Sequence, residues 1–284
     1  MIDTLFIIGP TASGKSVLAM QMAEELHAEI ICADSQTIRR ELTIGTAKPS
    51  AKDRSHVRHH LLDIIDPYDK YSAAQFKTDA EAALKDIHGR GKVAIVVGGT
   101  GLYIDALFYG YTFDKQADAP LRLELMEKSV EELQALINEK GYEMPLNDRN
   151  PRHLIRTLES GGMKAQDRTP REGSMIIGLN PGRETVRRNI ARRMHMIFKD
   201  GFIEEVETLV AKHGTPPHQL DAIAYRIAIE NLGITDEPKM KQLITIAEQQ
   251  FAKKQMSWFR RNESITWFES HTAARDFVLK SIKD

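Results

Sequence analysis

Eight residues near the start of the chain carry the clearest chemistry. Gly9-Pro10-Thr11-Ala12-Ser13-Gly14-Lys15-Ser16 matches G-x-x-x-x-G-K-[ST], the pattern of a phosphate-binding P-loop. Its glycines let the backbone fold around oxygens with the N–H groups pointing inward. The helix that follows adds its positive N-terminal end, and Lys15 adds a full charge. The Ser16 hydroxyl suits a Mg²⁺ ion carried in with a phosphate. The pattern does not say which phosphate compound is held.

The flanking sequence supplies the elements this loop needs. Leu5-Phe6-Ile7-Ile8 reads as a buried strand, and Leu18, Met22 and Leu26 recur at helical spacing after the loop. A second apolar run, 28–33, ends in Asp34-Ser35. Carboxyl ends of strands line the ligand crevice of open α/β sheets, so Asp34 falls near the phosphate site if the two strands are neighbours. A turn or helix-cap carboxylate is the other reading. Val93 to Val97 is apolar on both faces, as a central parallel strand should be, and runs into Gly98-Gly99-Thr100. Where a P-loop NTPase places an acid to hold Mg²⁺, this strand has Gly-Gly-Thr, which counts against plain ATP hydrolysis unless another strand supplies the acid.

Composition bounds the rest. With 284 residues, 42% of them hydrophobic, the chain can bury one large core or two smaller ones. The net charge of -1 advertises no acidic partner for the molecule as a whole. The lone cysteine, Cys32, excludes an internal disulfide, fits a reducing cytosol and reads as a buried thiol. No apolar stretch is long enough to span a membrane, and the first strand leaves no room for a signal peptide. The expectation is a cytoplasmic monomer that does not engage membranes. His56, His59 and His60 are close in sequence, but their spacing suits a hydrogen-bonded loop beside a short strand better than a metal site.

Downstream, Ser72 caps a helix to His88 whose stripe is Phe76, Ala80, Ala83, Leu84 and Ile87. Between Phe113 and Gly173 apolar strands disappear. Pro120 to Lys140 reads as one helix, and a second starts at Asn150-Pro151. The expected division is a core of 1–114 and 174–284 with a helical insertion at 115–173. Met175 to Leu179 returns to the sheet. From Arg149 to Arg193 eleven Lys/Arg face four Asp/Glu, which suits nucleic acid or a solvated helix face. Near the end, Phe251 to Arg261 interleaves bases and aromatics; it suits an RNA backbone or plain core contacts equally.

Taken together the motifs resemble the tRNA dimethylallyltransferases along nearly the full chain. The matching segments include GPTASGKS at 9–16, ADS at 33–35, IGTAKP at 44–49, GGTGLY at 98–103, NDRNPRHLIRTLE at 147–159 and AKKQMSWFRR at 252–261. The last and GGTGLY are the most selective. The resemblance implies an α/β fold: a P-loop NTPase-like parallel sheet flanked by helices, with the helical insertion as a subdomain for tRNA.

It implies transfer of a dimethylallyl group from its diphosphate to N6 of the adenosine immediately 3′ of the anticodon, in tRNAs reading codons that begin with U. The partners would be a tRNA anticodon stem-loop and dimethylallyl diphosphate, with Mg²⁺ as cofactor. Gly9, Pro10, Thr11, Ala12, Ser13, Gly14, Lys15 and Ser16 would hold the diphosphate, with Ser16 on the metal and Arg193 as a further ligand. Asp34 matches the general base and Thr100 the residue that orients it. Asp34, Ser35, Gln36, Thr37, Thr100, Arg122 and the segment Arg152, His153, Leu154, Ile155, Arg156 match positions that contact tRNA.

The chain departs from the family pattern at Thr37, Arg39, His153, Asn189, Ala224 and Gln249. These affect tRNA choice more than chemistry. Three alternatives stand beside this reading. A prenyltransferase of free adenine nucleotides should lack the insertion and the basic C-terminal stripe. A P-loop small-molecule kinase should carry an arginine-rich lid. An RNA-binding module would not need Lys15, Asp34 and Thr100 together.

Overall fold

The computed structural model describes residues 2–113, 119–145, 147–162, 168–215, 220 and 222–283. Its first half alternates strands and helices: β1 (Thr4–Ile8), α1 (Lys15–Leu26), β2 (Glu29–Cys32), α2 (Ala51–His56), β3 (His59–His60), α3 (Ala73–Gly89), β4 (Ala94–Gly98) and α4 (Gly101–Phe108). Three helices follow: α5 (Ala119–Met126), α6 (Val130–Glu139) and α7 (Pro151–Glu159). The chain then returns through β5 (Ser174–Leu179), α8 (Arg183–Lys199), α9 (Phe202–His213), α10 (Ile223–Asn231), α11 (Glu237–Phe259), β6 (Thr266–Phe268) and α12 (His271–Lys283).

The strands form one parallel sheet in the order β3-β2-β4-β1-β5-β6. β1, β2 and β4 are buried at every position, because helices cover both faces. Leu5 and Ile7 pack in one cluster with Leu18 and Met22 of α1 and Val278 of α12. Phe6 turns the other way, edge-on to Phe108 of α4, with ring centroids 5.1 Å apart. Cys32 is buried in this core, and burial pushes its thiol up to about 12, so it is a packing group and not a nucleophile at neutral pH. α8 to α11 pack on one another around Met194, Phe202, Tyr225 and Ile244.

Two compact units result, one of residues 1–108 with 170–284 and the other of 109–169. In the second, Leu125, Leu133, Ile137, Leu154, Ile155 and Leu158 make a small core. The single helix expected over Pro120–Lys140 is two, α5 and α6. Ser129 accepts from the Glu132 amide while Glu132 accepts from the Ser129 amide, a capping box that starts a new helix.

The end of the sheet far from the P-loop is closed by charge. Glu29, first residue of β2, is buried and accepts hydrogen bonds from Arg90 and from Lys92, and His60 Nε2 lies 2.8 Å from its Oε2. The Arg90 bonds hold its carboxyl well below the usual carboxylate range. Glu29, His60 and Asp86 bring donor atoms within 4.8 Å of one another, as a metal site would. Arg90 bonds both carboxylates, so a guanidinium already supplies the positive charge there.

Candidate active site

The P-loop bridges β1 and α1 by a backbone few residues can follow. Ala12 has φ 58° and Gly14 has φ 93°, both left-handed. Gly14 is doubly constrained, because a Cβ there would lie 2.3 Å from Nε2 of His271 in α12. Ser13 donates its amide to the Pro10 carbonyl at 3.2 Å, which closes the loop. α1 begins at Lys15; Val17 and Leu18 donate their amides to the Gly14 carbonyl, while the amides of Lys15 and Ser16 have no acceptor among the described residues and are available to an anion. Lys15 Nζ reaches the Pro10 carbonyl at 3.3 Å. Burial draws its pKa below the usual lysine value, against an upward pull from Asp34. Ser16 is exposed at the head of the helix.

Two buried polar atoms at this loop are unsatisfied among the described residues: Ser13 Oγ and Arg193 Nε. Leaving such donors unpaired costs about 1–3 kcal/mol each, and a bound anion removes the cost. Arg193 is otherwise fully engaged. Its Nη1 donates to Thr11 Oγ1 at 2.8 Å and its Nη2 to Glu248 Oε2 of α11 at 2.6 Å. Its neighbour Arg192 is exposed, as the 100° step between adjacent helix residues requires. Asn189, one turn earlier on α8, donates to the Ala12 carbonyl at 3.0 Å and so holds the left-handed residue of the loop.

Asp34 and Thr100 come from the ends of β2 and β4. β2 is not the neighbour of β1; β4 lies between them. Asp34 still reaches the phosphate side of the sheet, since all these strands are parallel and end at one edge. Gly98 permits the approach of the two strand ends, because a Cβ there would sit 1.9 Å from the Ala33 carbonyl oxygen. Thr100 then donates its amide to that carbonyl, and its Oγ1 accepts the Ser35 amide at 3.0 Å. Thr100 therefore fixes the backbone next to Asp34 rather than bonding its carboxylate. Asp34 Oδ1 accepts the Gln36 amide at 2.9 Å, forming an Asx turn, while Oδ2 has no described partner. One oxygen shapes the turn and the other is available to a ligand.

The arrangement is a cationic, amide-lined anion cradle beside a half-buried carboxylate. The profile of the IPP transferase family matches residues 37–262 of this chain. The chain belongs to that family. A tRNA dimethylallyltransferase of Macrococcus caseolyticus is 34% identical over 299 residues, covering 99% of this chain and 95% of the relative. A tRNA isopentenylpyrophosphate transferase structure from Bacillus halodurans superposes with a TM-score of 0.76 at 28% identity, covering 100% of this chain and 97% of that one. One from Staphylococcus epidermidis gives 0.75, also at 28%, covering 100% and 99%.

In this IPP transferase the remaining expected site residues lie in the helical unit. Arg152, His153 and Arg156 are exposed on α7, whereas Leu154 and Ile155 are buried in the core of that unit. The two apolar side chains hold the helix and offer nothing to a polar ligand. Arg122 donates to Glu159 at 3.1 Å, so it is paired in the free protein. In the aromatic and basic stripe of α11, Phe259 is fully buried and Trp258 donates its indole N–H to Asp105 at 2.8 Å, while Lys253 and Lys254 are exposed. The stripe thus divides into core contacts and a solvated basic face.

Mg²⁺ is held by few protein ligands where substrate phosphates supply the others. Ser16 Oγ at the head of α1 fits that role, and β4 ends in glycines without an acid. The residues fit a metal that arrives with a phosphate compound.

Residues 35–38 form a turn and not a strand, so alternation does not set Gln36 and Thr37 on opposite faces. Thr37 Oγ1 reaches the Asp34 carbonyl at 3.4 Å. The family pattern has a glutamine where this chain has Thr37, and Thr37→Gln is expected to sharpen discrimination at one base beside the target adenine by about 5- to 150-fold, the range of a bidentate amide contact. Transfer rates on stem-loops varied one base at a time measure this; identical preferences would show that position 37 reads nothing.

Sequence reasoning singled out neither Glu248 nor Gln255 as a site residue. Gln255 accepts the Thr11 amide at 2.7 Å across 244 residues of chain. No local pattern signals a contact of that separation.

Proposed function

We propose that this protein transfers a dimethylallyl group from dimethylallyl diphosphate to N6 of the adenosine immediately 3′ of the anticodon, in tRNAs that read codons beginning with U. The observation that carries the reading is the pair of unsatisfied donors, Ser13 Oγ and Arg193 Nε, at a P-loop that faces a carboxylate instead of a hydrolytic metal site. A diphosphate leaving group satisfies the donors. Asp34 serves the nucleophile.

In the reaction the bond from the allylic carbon to the diphosphate oxygen breaks, and a bond from adenine N6 to that carbon forms. An adenine amine is a weak nucleophile, so two effects must combine. Charge building on the diphosphate is met by Lys15, Ser13, Arg193 and the loop amides. The N6 proton passes to Asp34, whose position is held through Ser35 by Thr100. Mg²⁺, when bound at Ser16 with the diphosphate, would offset further negative charge on the leaving group. The adenine must leave its stack to enter the crevice.

Arg122, Arg152, His153 and Arg156 serve the tRNA backbone, in keeping with the basic excess of residues 149–193. The double variant Arg152→Ala, Arg156→Ala is expected to raise KM for tRNA and to flatten its salt dependence. KM for dimethylallyl diphosphate should stay unchanged. The assay is transfer of labelled dimethylallyl to a tRNA transcript, with mass spectrometry of the adenosines. Equal activity of the wild type on free AMP and on tRNA would replace this reading by a nucleotide prenyltransferase.

A further inference from the structure

α11 reaches the active site through a side chain to which no role has been given. Gln255 is buried, at 6% exposure. Its amide uses both ends. Oε1 accepts the backbone N–H of Thr11 in the P-loop at 2.7 Å, and Nε2 donates to the backbone carbonyl of Gly99 at 2.9 Å. Thr11 lies in the loop that grips the anion and touches Arg193. Gly99 lies in the turn that presents Thr100, and through it the Ser35 amide next to Asp34. The two loops follow β1 and β4, and no hydrogen bond described between them joins them directly.

We infer that Gln255 is a positioning residue for group transfer: a strut that sets the distance between the diphosphate grip and the turn that holds the base. This rests on the function proposed above. A second observation supports it independently. A Cβ at position 99 would lie 2.3 Å from Gln255 Nε2, so the absence of a side chain there is what lets the amide in. A primary amide of this length both accepts from one backbone and donates to the other. Transfer needs the electrophile and nucleophile held within a fraction of an ångström, and a misplacement of about 1 Å can cost ~100-fold. Loosening the strut should therefore act on the rate at saturation more than on the binding of either substrate.

The test compares wild type, Gln255→Met, Gly99→Ala and the double variant, in single-turnover transfer at saturating tRNA and dimethylallyl diphosphate, well below each melting temperature. Gln255→Met conserves volume and removes both hydrogen bonds. It is expected to slow transfer by about 10- to 100-fold, with affinity for inorganic diphosphate changed much less. Gly99→Ala should slow transfer similarly by displacing the amide. The double variant should be no slower than the slower single one, because the displaced group is already gone. Should Gln255→Met fail to fold, Gln255→Glu carries the same test, since it keeps the acceptor for Thr11 and loses the donor to Gly99. A lowered melting temperature with unchanged transfer would make Gln255 merely structural and overturn the inference, as would additive effects of the two substitutions. Failure of the wild type to transfer at all would instead overturn the proposed function.

Discussion

Lys15→Ala is expected to lower kcat/KM for dimethylallyl transfer by at least ~100-fold, the scale of losing a principal charge contact to the transition state. Its neighbours do not replace it. Arg193 already has a place of its own, with Nη1 and Nη2 held by Thr11 and Glu248 and Nε left for the anion, and Asn189 carries no charge. Lys15 is the full charge on the P-loop itself. Charge builds on the diphosphate as the allylic bond lengthens, so the loss should fall on the chemical step more than on ground-state binding.

A pH effect accompanies it. Burial holds the Lys15 pKa below that of a free lysine, so the free enzyme should lose this charge, and its activity, at a lower pH than an exposed lysine would. In Lys15→Arg the charge persists across that range, so the alkaline fall in kcat/KM should move upward. Steady-state kinetics of the three proteins between neutral and alkaline pH decide the matter. Near-wild-type transfer by Lys15→Ala would refute the assignment of the loop.

Asp34→Asn is expected to bind tRNA almost normally and to transfer slowly, by about 10²- to 10⁴-fold, the usual worth of general acid–base help. Asparagine is the informative substitution because Oδ1 is structural. It accepts the Gln36 amide and forms the turn, and an asparagine oxygen keeps that bond. What the carboxamide lacks is a group able to take the N6 proton. Asp34→Ala would remove the turn as well and confuse the two roles. Single-turnover rates beside equilibrium binding of the same stem-loop separate them. Collapsed binding with fast transfer would make Asp34 a contact for RNA or backbone, not a base.

Both predictions were within reach of the sequence because both residues sit in local patterns. The P-loop is contiguous, and its strand and helix announce themselves by apolar run and helical spacing. Strands buried on both faces read as unbroken apolar runs, so β1, β2 and β4 were legible, as was the loss of strands before β5. A capping box marks the start of α3 at Ser72. The same signal at Ser129 went unread, because a leucine stripe continues across it from Leu125 to Leu133 and mimics one helix. The resemblance to the family supplied the roles expected of Asp34 and Arg193.

What the chain order could not contain is sheet order and long-range pairing. That β4 lies between β1 and β2 is a fact of topology, and it decides that Gly98 must make room for the Ala33 carbonyl. Leu154 and Ile155 sit in the same motif as Arg152 and Arg156, and only packing against Leu133 and Ile137 turns their side chains inward. Asn189 departs from the family pattern, and only the fold sets the Ala12 carbonyl beside it. Glu248 reads as an ordinary polar position on a helix, and Gln255, though inside the selective motif at 252–261, carries no local sign of what it touches. Tertiary structure buries them, and a buried polar group must find partners. Their partners are Arg193, Thr11 and Gly99, so one late helix, α11, holds together site residues that lie far apart in the chain.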